Sequence, residues 1–206
     1  MNKQYPAFEE IVKKIKLLQA KKHTPILIAI DGGSGAGKTT LAALIVKELD
    51  AVLIPIDDFF AGHIADDKWD DFTIEEKLDK VFDWQYLRNS AIIPLLDSKP
   101  AKWHSIDFEL GILPDGTYKL KSDHTVKNPA KIILLEGAYS FGPKIADLVD
   151  MAILVDVDIE KRHSRLAARE PKEFLDKWHQ RWDDVEKHYF SKIRPKNLYD
   201  LVVNYD

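Results

Sequence analysis

The 206-residue sequence contains no cysteine, which excludes a disulfide framework, a thiolate metal site and a cysteine nucleophile. Long hydrophobic runs are lacking too: the longest, such as Ile26 to Ile30, fall far short of the ~18 residues of a membrane span. Nor is there an excess of positive charge. The chain has 30 Lys and Arg against 34 Asp and Glu, a formal net charge of -4, so no overall basic field draws it to nucleic acid. Its N-terminal lysines are mixed with Glu9 and Glu10 and lead into no continuous apolar stretch, so a cleaved signal is not expected. A cytoplasmic chain with neither a nucleic-acid nor a membrane partner is expected, as a monomer or a homodimer.

What is present is enough apolar chain, 45% of residues, to bury one core, and a single domain over residues 1–206 is predicted. Phe8, Ile11, Val12, Ile15 and Leu18 recur at helical spacing and predict an amphipathic helix within residues 1–24. Five short apolar runs without alternation, at 25–30, 51–56, 131–135, 151–155 and 201–203, read as strands covered on both faces. Helical patterns separate them. The expected fold is α/β, a three-layer sandwich around a mostly parallel five-stranded sheet.

Between the second and third of these strands, residues 57–128 are the least regular part and read as a substrate-binding insertion. Within it, Thr73 to Glu76 has a capping-box pattern and Asp83 is a candidate cap for a helix toward Leu96. Segments 102–108 and 117–123, separated by Pro114-Asp-Gly116, predict a hairpin. A helix is expected near Pro143 to Leu148. A long charged helical stretch is expected over 159–193, broken near Pro171. In it Trp178, Trp182 and Glu186, extended by Tyr189 and Phe190, read as a stripe facing the core, and Arg181 is a candidate phosphate contact.

Gly32-Gly33-Ser34-Gly35-Ala36-Gly37-Lys38-Thr39 matches G-x-x-x-x-G-K-[ST] directly after a strand and before a helix, and Thr40 continues into that helix. Chance alone produces the pattern in under ~1% of chains this long. Glycines let backbone N–H groups turn inward around phosphate oxygens; Lys38 is expected to reach the β- and γ-phosphates and the Thr39 hydroxyl to bind Mg²⁺. No Asn-Lys-x-Asp base reader follows, which favours ATP over GTP. Asp57 and Asp58 follow the second strand and Glu136 the third. In an open parallel sheet such acids converge outside the carboxyl ends of the strands. Glu136 is placed to hold Mg²⁺, with Asp57 or Asp58 to orient and deprotonate an attacking hydroxyl.

Together, Ile28-Ala-Ile-Asp31 before the phosphate loop, Ile56-Asp-Asp-Phe-Phe60, Asp83-Trp84 with Pro94-Leu95, Ile106-Asp-Phe108, Leu134-Leu-Glu-Gly137 and Arg162 to Arg169 resemble the uridine kinase and phosphoribulokinase group of P-loop kinases. The chain also resembles short bacterial uridine kinase-like proteins. The resemblance implies that Asp57 is the base and also lies at the metal, that Glu136 belongs to the metal site, and that Arg162, Arg165 and Arg169 form a basic lid. It implies a small-molecule acceptor, uridine or a related nucleoside, with His104, His124 and Arg88 as candidate contacts. Another hydroxylated metabolite (pantothenate, nicotinamide riboside, glycerate or a sugar phosphate) and a nucleotide-binding switch are the alternatives. Arg165 and Arg169, at i and i+4, are expected on one helix face. Trp69 and Trp103 would either stack on a nucleobase or be buried. The seven histidines form no metal pattern, and the absence of H-E-x-x-H argues against a zinc hydrolase.

Overall fold

The computed structural model describes residues 7–204. Seven strands form in chain order: β1 Ile26–Asp31, β2 Val52–Pro55, β3 Ala101–Ile106, β4 Leu120–Lys127, β5 Ile132–Glu136, β6 Met151–Asp156 and β7 Leu201–Asn204. Five make one sheet in the order β2-β5-β1-β6-β7, with every neighbouring pair parallel. The strands fall on the five apolar runs. Because β1 and β5 are buried on both faces, successive residues serve different cores: Ile26, Ile28 and Ile30 pack on one side, Leu27, Ile133 and Leu135 on the other.

The first side is covered by α1 (Phe8–Lys21) and α2 (Lys38–Leu49), through Ile11, Ile15, Leu41 and Ile45. Residues 1–6 of the expected N-terminal helix lie outside the described residues. The second side is covered by two further helices. One, α4, spans residues 84–96 after the short α3 (Ile74–Lys80); the other, α6 (Lys172–His188), follows α5 (Ile159–Ala167). Leu87, Ala91 and Leu95 of α4 and Trp182 and Val185 of α6 enter that core. The result is the three-layer sandwich.

Local details depart from the sequence reading for identifiable reasons. Asp83 caps α4 by accepting from the Tyr86 N–H, but the helix widens to π geometry over Leu87–Ile92. Pro94 explains it: having no N–H and a ring that would strike the carbonyl four residues back, it is accommodated by a wider turn just before it. The helix expected near Pro143 to Leu148 is only a 3-10 turn over Ala146–Leu148, since the segment must end in time for Asp150 to accept from the Leu27 N–H. The hairpin forms, but its second strand starts at Leu120. Pro114-Asp-Gly116 makes a turn closed by Leu113 and Thr117 inside the longer loop 107–119, leaving β3 to pair with β4 as Ala101 with Lys127 and Trp103 with Thr125.

Candidate active site

The phosphate loop connects β1 to α2, so its amides gather at the helix N-terminus, where the backbone dipole favours anions. Gly37 occupies the cap position with a left-handed φ of 94°, and the Lys38 ammonium folds back to donate to the Gly33 carbonyl at 3.0 Å. Thr39 Oγ1 donates to Glu136 Oε1 at 3.2 Å. Thr39 and Thr40 are exposed, whereas Ala36 is buried against the apolar core under the loop.

Glu136 ends β5, flanked by Ile30 of β1 and Pro55 of β2. Asp57, two residues beyond Pro55, therefore reaches the same sheet edge. At Gly137, φ is 143° and a Cβ would come within 2.3 Å of Ile56 Cγ2, so only glycine lets the two strand ends approach this closely. Burial pushes the Glu136 carboxyl above its ordinary value and the Asp57 charge adds to this, while Lys38 and the Thr39 hydroxyl pull it down. Asp57 is likewise raised, by crowding, with Lys38 and Arg169 lowering it and Asp58 raising it. Its side chain is nonetheless open to solvent, so water moderates that shift. Thr39, Asp57 and Glu136 offer only oxygen donors around two mutually repelling carboxylates, a donor set that suits Mg²⁺.

Asp58 points elsewhere. Its Oδ2 accepts from the Trp103 indole N–H at 2.8 Å and so fastens the hairpin to the end of β2. Trp103 and Trp69 are both fully buried, which removes them as stacking platforms. Arg88 is committed to Asp147 at 2.7 Å and to the Lys144 carbonyl, away from the cleft. His104 bonds the Lys121 carbonyl and its ring lies 3.6 Å from that of His124 across the hairpin.

The expected arginine face needs correction. α5 ends at Ala167, and Arg169 falls in the break before Pro171, so Arg165 and Arg169 do not share a helix face. They still approach the site from different backbones: Arg165 donates to the Gly35 and Ala36 carbonyls at 3.4 and 3.3 Å, and Arg169 is near enough to Asp57 to lower its carboxyl. Arg162 is buried beneath the loop, donating to the Ser34 carbonyl at 2.9 Å and to Glu186 Oε2 at 2.7 Å. Glu186 in turn accepts from the Ser34 N–H at 2.8 Å. Arg181 does not approach the loop; it is paired with Asp66 and Asp70, joining α6 to the insertion.

Two features escaped the sequence reading. Glu186 was legible only as a member of an aromatic stripe. Asp31, the last residue of β1, is fully buried and accepts five hydrogen bonds, from the backbone N–H groups of Gly32, Tyr139 and Phe141 and the hydroxyls of Tyr189 and Tyr199. Its position immediately before the phosphate loop was the available signal.

A parallel sheet in this order, a phosphate loop after its central strand and acids at two neighbouring strand ends define a P-loop kinase. No family model matches the chain. It is 30% identical over 180 residues to a uridine kinase of Chlamydia pneumoniae, covering 82% of this chain and 73% of that one. The chain belongs to the uridine kinase family. In structure it is similar to a possible uridine kinase from Bacillus stearothermophilus, with a TM-score of 0.68 and 19% identity over 97% of each chain. It is also similar to D-glycerate 3-kinase from Cryptococcus neoformans, with a TM-score of 0.54 and 13% identity over 94% of this chain and 88% of that one. Among the described residues, no helix is long and apolar enough to cross a membrane.

Proposed function

We propose that the chain transfers the γ-phosphoryl group of ATP to a hydroxyl of uridine or a related nucleoside, with Mg²⁺ as the metal. The observation that carries this reading is the meeting of Lys38, Asp57 and Glu136 at one sheet edge beside the phosphate loop. The amides of Gly32, Gly33, Ser34, Gly35, Ala36, Gly37, Lys38, Thr39 and Thr40 form the loop and first helical turn that receive the nucleotide, and Lys38 leaves the Gly33 carbonyl to neutralise its phosphates. Thr39, Asp57 and Glu136 would hold Mg²⁺, which supplies charge neutralisation to the transferring group. Asp57 accepts the proton of the acceptor hydroxyl as its oxygen forms a bond to the γ-phosphorus and the bond to the ADP oxygen breaks. Arg165 and Arg169 stabilise the charge on the transferring group and exclude water.

The acceptor rests on the relatives' names, while Arg88 and His104, two candidate nucleoside contacts, are engaged elsewhere. The test is ATP-dependent phosphorylation by purified protein across nucleosides, glycerate, pantothenate, nicotinamide riboside and sugar phosphates. Transfer to uridine or cytidine is expected. Transfer to glycerate or a sugar phosphate alone would move the acceptor and keep the chemistry. No transfer to any of them, with slow hydrolysis only, would replace the kinase reading by that of a nucleotide switch.

A further inference from the structure

The two helices beside the phosphate loop share a cluster that phosphoryl transfer does not use. His163 lies on α5, and His179 and Asp183 are one turn apart on α6. Asp183 Oδ1 is 3.3 Å from His163 Nε2 and 3.2 Å from His179 Nδ1. The two imidazole rings face each other at 3.7 Å between centroids, tilted by 38°. One ligand atom from each residue lies within 4.8 Å of the other two. The three side chains are partly open to solvent, at 32%, 23% and 27%.

Nitrogen and oxygen ligands bound at about 2.0–2.1 Å in a tetrahedron stand roughly 3.3–3.4 Å apart. The two nitrogen-to-carboxylate separations, 3.3 and 3.2 Å, are close to that length. Their partial exposure gives solvent access to the cluster, so a water could serve as the fourth ligand. We propose that His163, His179 and Asp183 form a binding site for a divalent transition-metal ion of the Zn²⁺ class, distinct from the oxygen-lined site of Thr39, Asp57 and Glu136. Donor chemistry separates the two: imidazole nitrogen suits Zn²⁺ and its neighbours in the first transition row, whereas an all-oxygen set suits Mg²⁺. No sequence-local metal pattern exists because His163 precedes the break at Pro171 while His179 and Asp183 follow it. His179 and Asp183 alone are an ordinary i, i+4 pair.

The position gives the ion a structural consequence. His163 adjoins Arg162, and Asp183 lies one turn before Glu186, the two residues that grip Ser34 of the phosphate loop. An ion bridging His163 to Asp183 ties α5 to α6 at this level and braces that grip from outside.

The test is a Co²⁺ titration of untagged, full-length, metal-free protein, followed by visible absorption in excess Mg²⁺ and ADP so that the phosphate site is saturated. One Co²⁺ per chain is expected, with d–d bands that Zn²⁺ abolishes, and Zn²⁺ is expected to raise the thermal midpoint. His163→Gln and His179→Gln should each weaken binding at least about 10-fold, a bound taken from the effect of merely removing a ligand's supporting contact. With no transition metal added, their ADP affinity should match that of the metal-free wild type, which reports that they fold. In the unmutated protein, Zn²⁺ should shift the imidazole NMR resonances of His163 and His179, a readout that needs no variant. The site is disproved if Co²⁺ gives no d–d band, if both His163→Gln and His179→Gln bind with unchanged stoichiometry and affinity, or if Zn²⁺ moves other histidines instead.

Discussion

Arg162 and Glu186, from different helices, meet at 2.7 Å beneath the phosphate loop, one holding the Ser34 carbonyl and the other its N–H. Both side chains are enclosed, 11% and 4% exposed. Removing one partner of such a pair leaves a buried charge, at a cost of about 3–5 kcal/mol. Arg162→Met alone should therefore lower the urea midpoint sharply. Arg162→Met with Glu186→Leu should recover much of that stability, because neither charge remains. It should not recover nucleotide affinity, since Ser34 has lost both partners. Calorimetric ATP titration of the double variant decides between a merely packing pair and one that shapes the loop: unchanged affinity would favour packing alone.

Asp57→Asn should keep ATP binding and lose transfer by about 10²–10⁴-fold, the usual contribution of a positioned base. The wild-type rate should fall as pH drops through the Asp57 carboxyl, which in the ligand-free protein burial raises against the pull of Lys38 and which bound Mg²⁺ draws down. That acid limb should vanish from the residual rate of the variant. A pH series of single-turnover rates measures both.

Glu136 permits a stability prediction of definite sign. Its folded-state carboxyl is raised by burial, so the folded chain holds the proton more tightly than the unfolded chain. The resulting stabilisation is fully present below the unfolded value and is lost as pH rises through the folded one. At neutral pH the ligand-free protein therefore carries an ionised acid that burial disfavours. Glu136→Gln should melt higher than wild type at pH 7, by about 2–4 °C per kcal/mol relieved, and the difference should close in acid. Added Mg²⁺ and ATP should reverse the order, since only the wild type keeps the carboxylate. Differential scanning calorimetry at two pH values checks the sign.

The central sheet was legible because doubly covered strands leave unalternating apolar runs, and the phosphate loop because its chemistry is written in eight consecutive residues. Asp57 and Glu136 were legible through strand polarity. What could not be read were partnerships across distance. Arg181 finds Asp66 and Asp70 more than 100 residues earlier, and nothing in its own helix distinguishes such a residue from a phosphate ligand. Arg169 looked helical because spacing carries no record of where a helix stops; Pro171 forced the stop a few residues earlier than the charge pattern implied. Trp69 and Trp103 were undecided between ligand and core because both uses demand the same side chain.

Arg181 therefore becomes a probe of the insertion. Its side chain is only 10% exposed and joins α6 to Asp66 and Asp70 at 2.7 and 2.8 Å. The Arg181 hydrogen bond holds the Asp70 carboxyl below its usual range. Arg181→Met should free this part of the insertion while leaving the phosphate loop untouched. If the insertion holds the acceptor, its KM should rise several-fold with ATP affinity unchanged. Equal losses for both substrates would show that the pair supports the whole fold instead.

Asp31 and Tyr189 supply the last prediction. The Tyr189 hydroxyl donates to the buried Asp31 at 2.7 Å, and Tyr199 donates to the same oxygen at 2.9 Å. Burial raises both phenols well above their ordinary value, with the Asp31 charge adding to the effect, so they remain donors into alkaline solution. Either Tyr→Phe change removes one of five donors and should cost about 1.5–3 kcal/mol, the range for a hydrogen bond to a charged group. Asp31→Asn should cost more than either, because the amide N–H₂ introduces a donor where N–H and O–H groups already point inward. The backbone of Tyr139 and Phe141 is held by the same carboxylate, just beyond Glu136 and Gly137. Asp31→Asn should thus also weaken Mg²⁺-dependent nucleotide binding, whereas Tyr199→Phe, which leaves those two backbone bonds in place, should not. Parallel urea unfolding and nucleotide titrations with and without Mg²⁺ separate a purely structural carboxylate from one that also sets the position of Glu136.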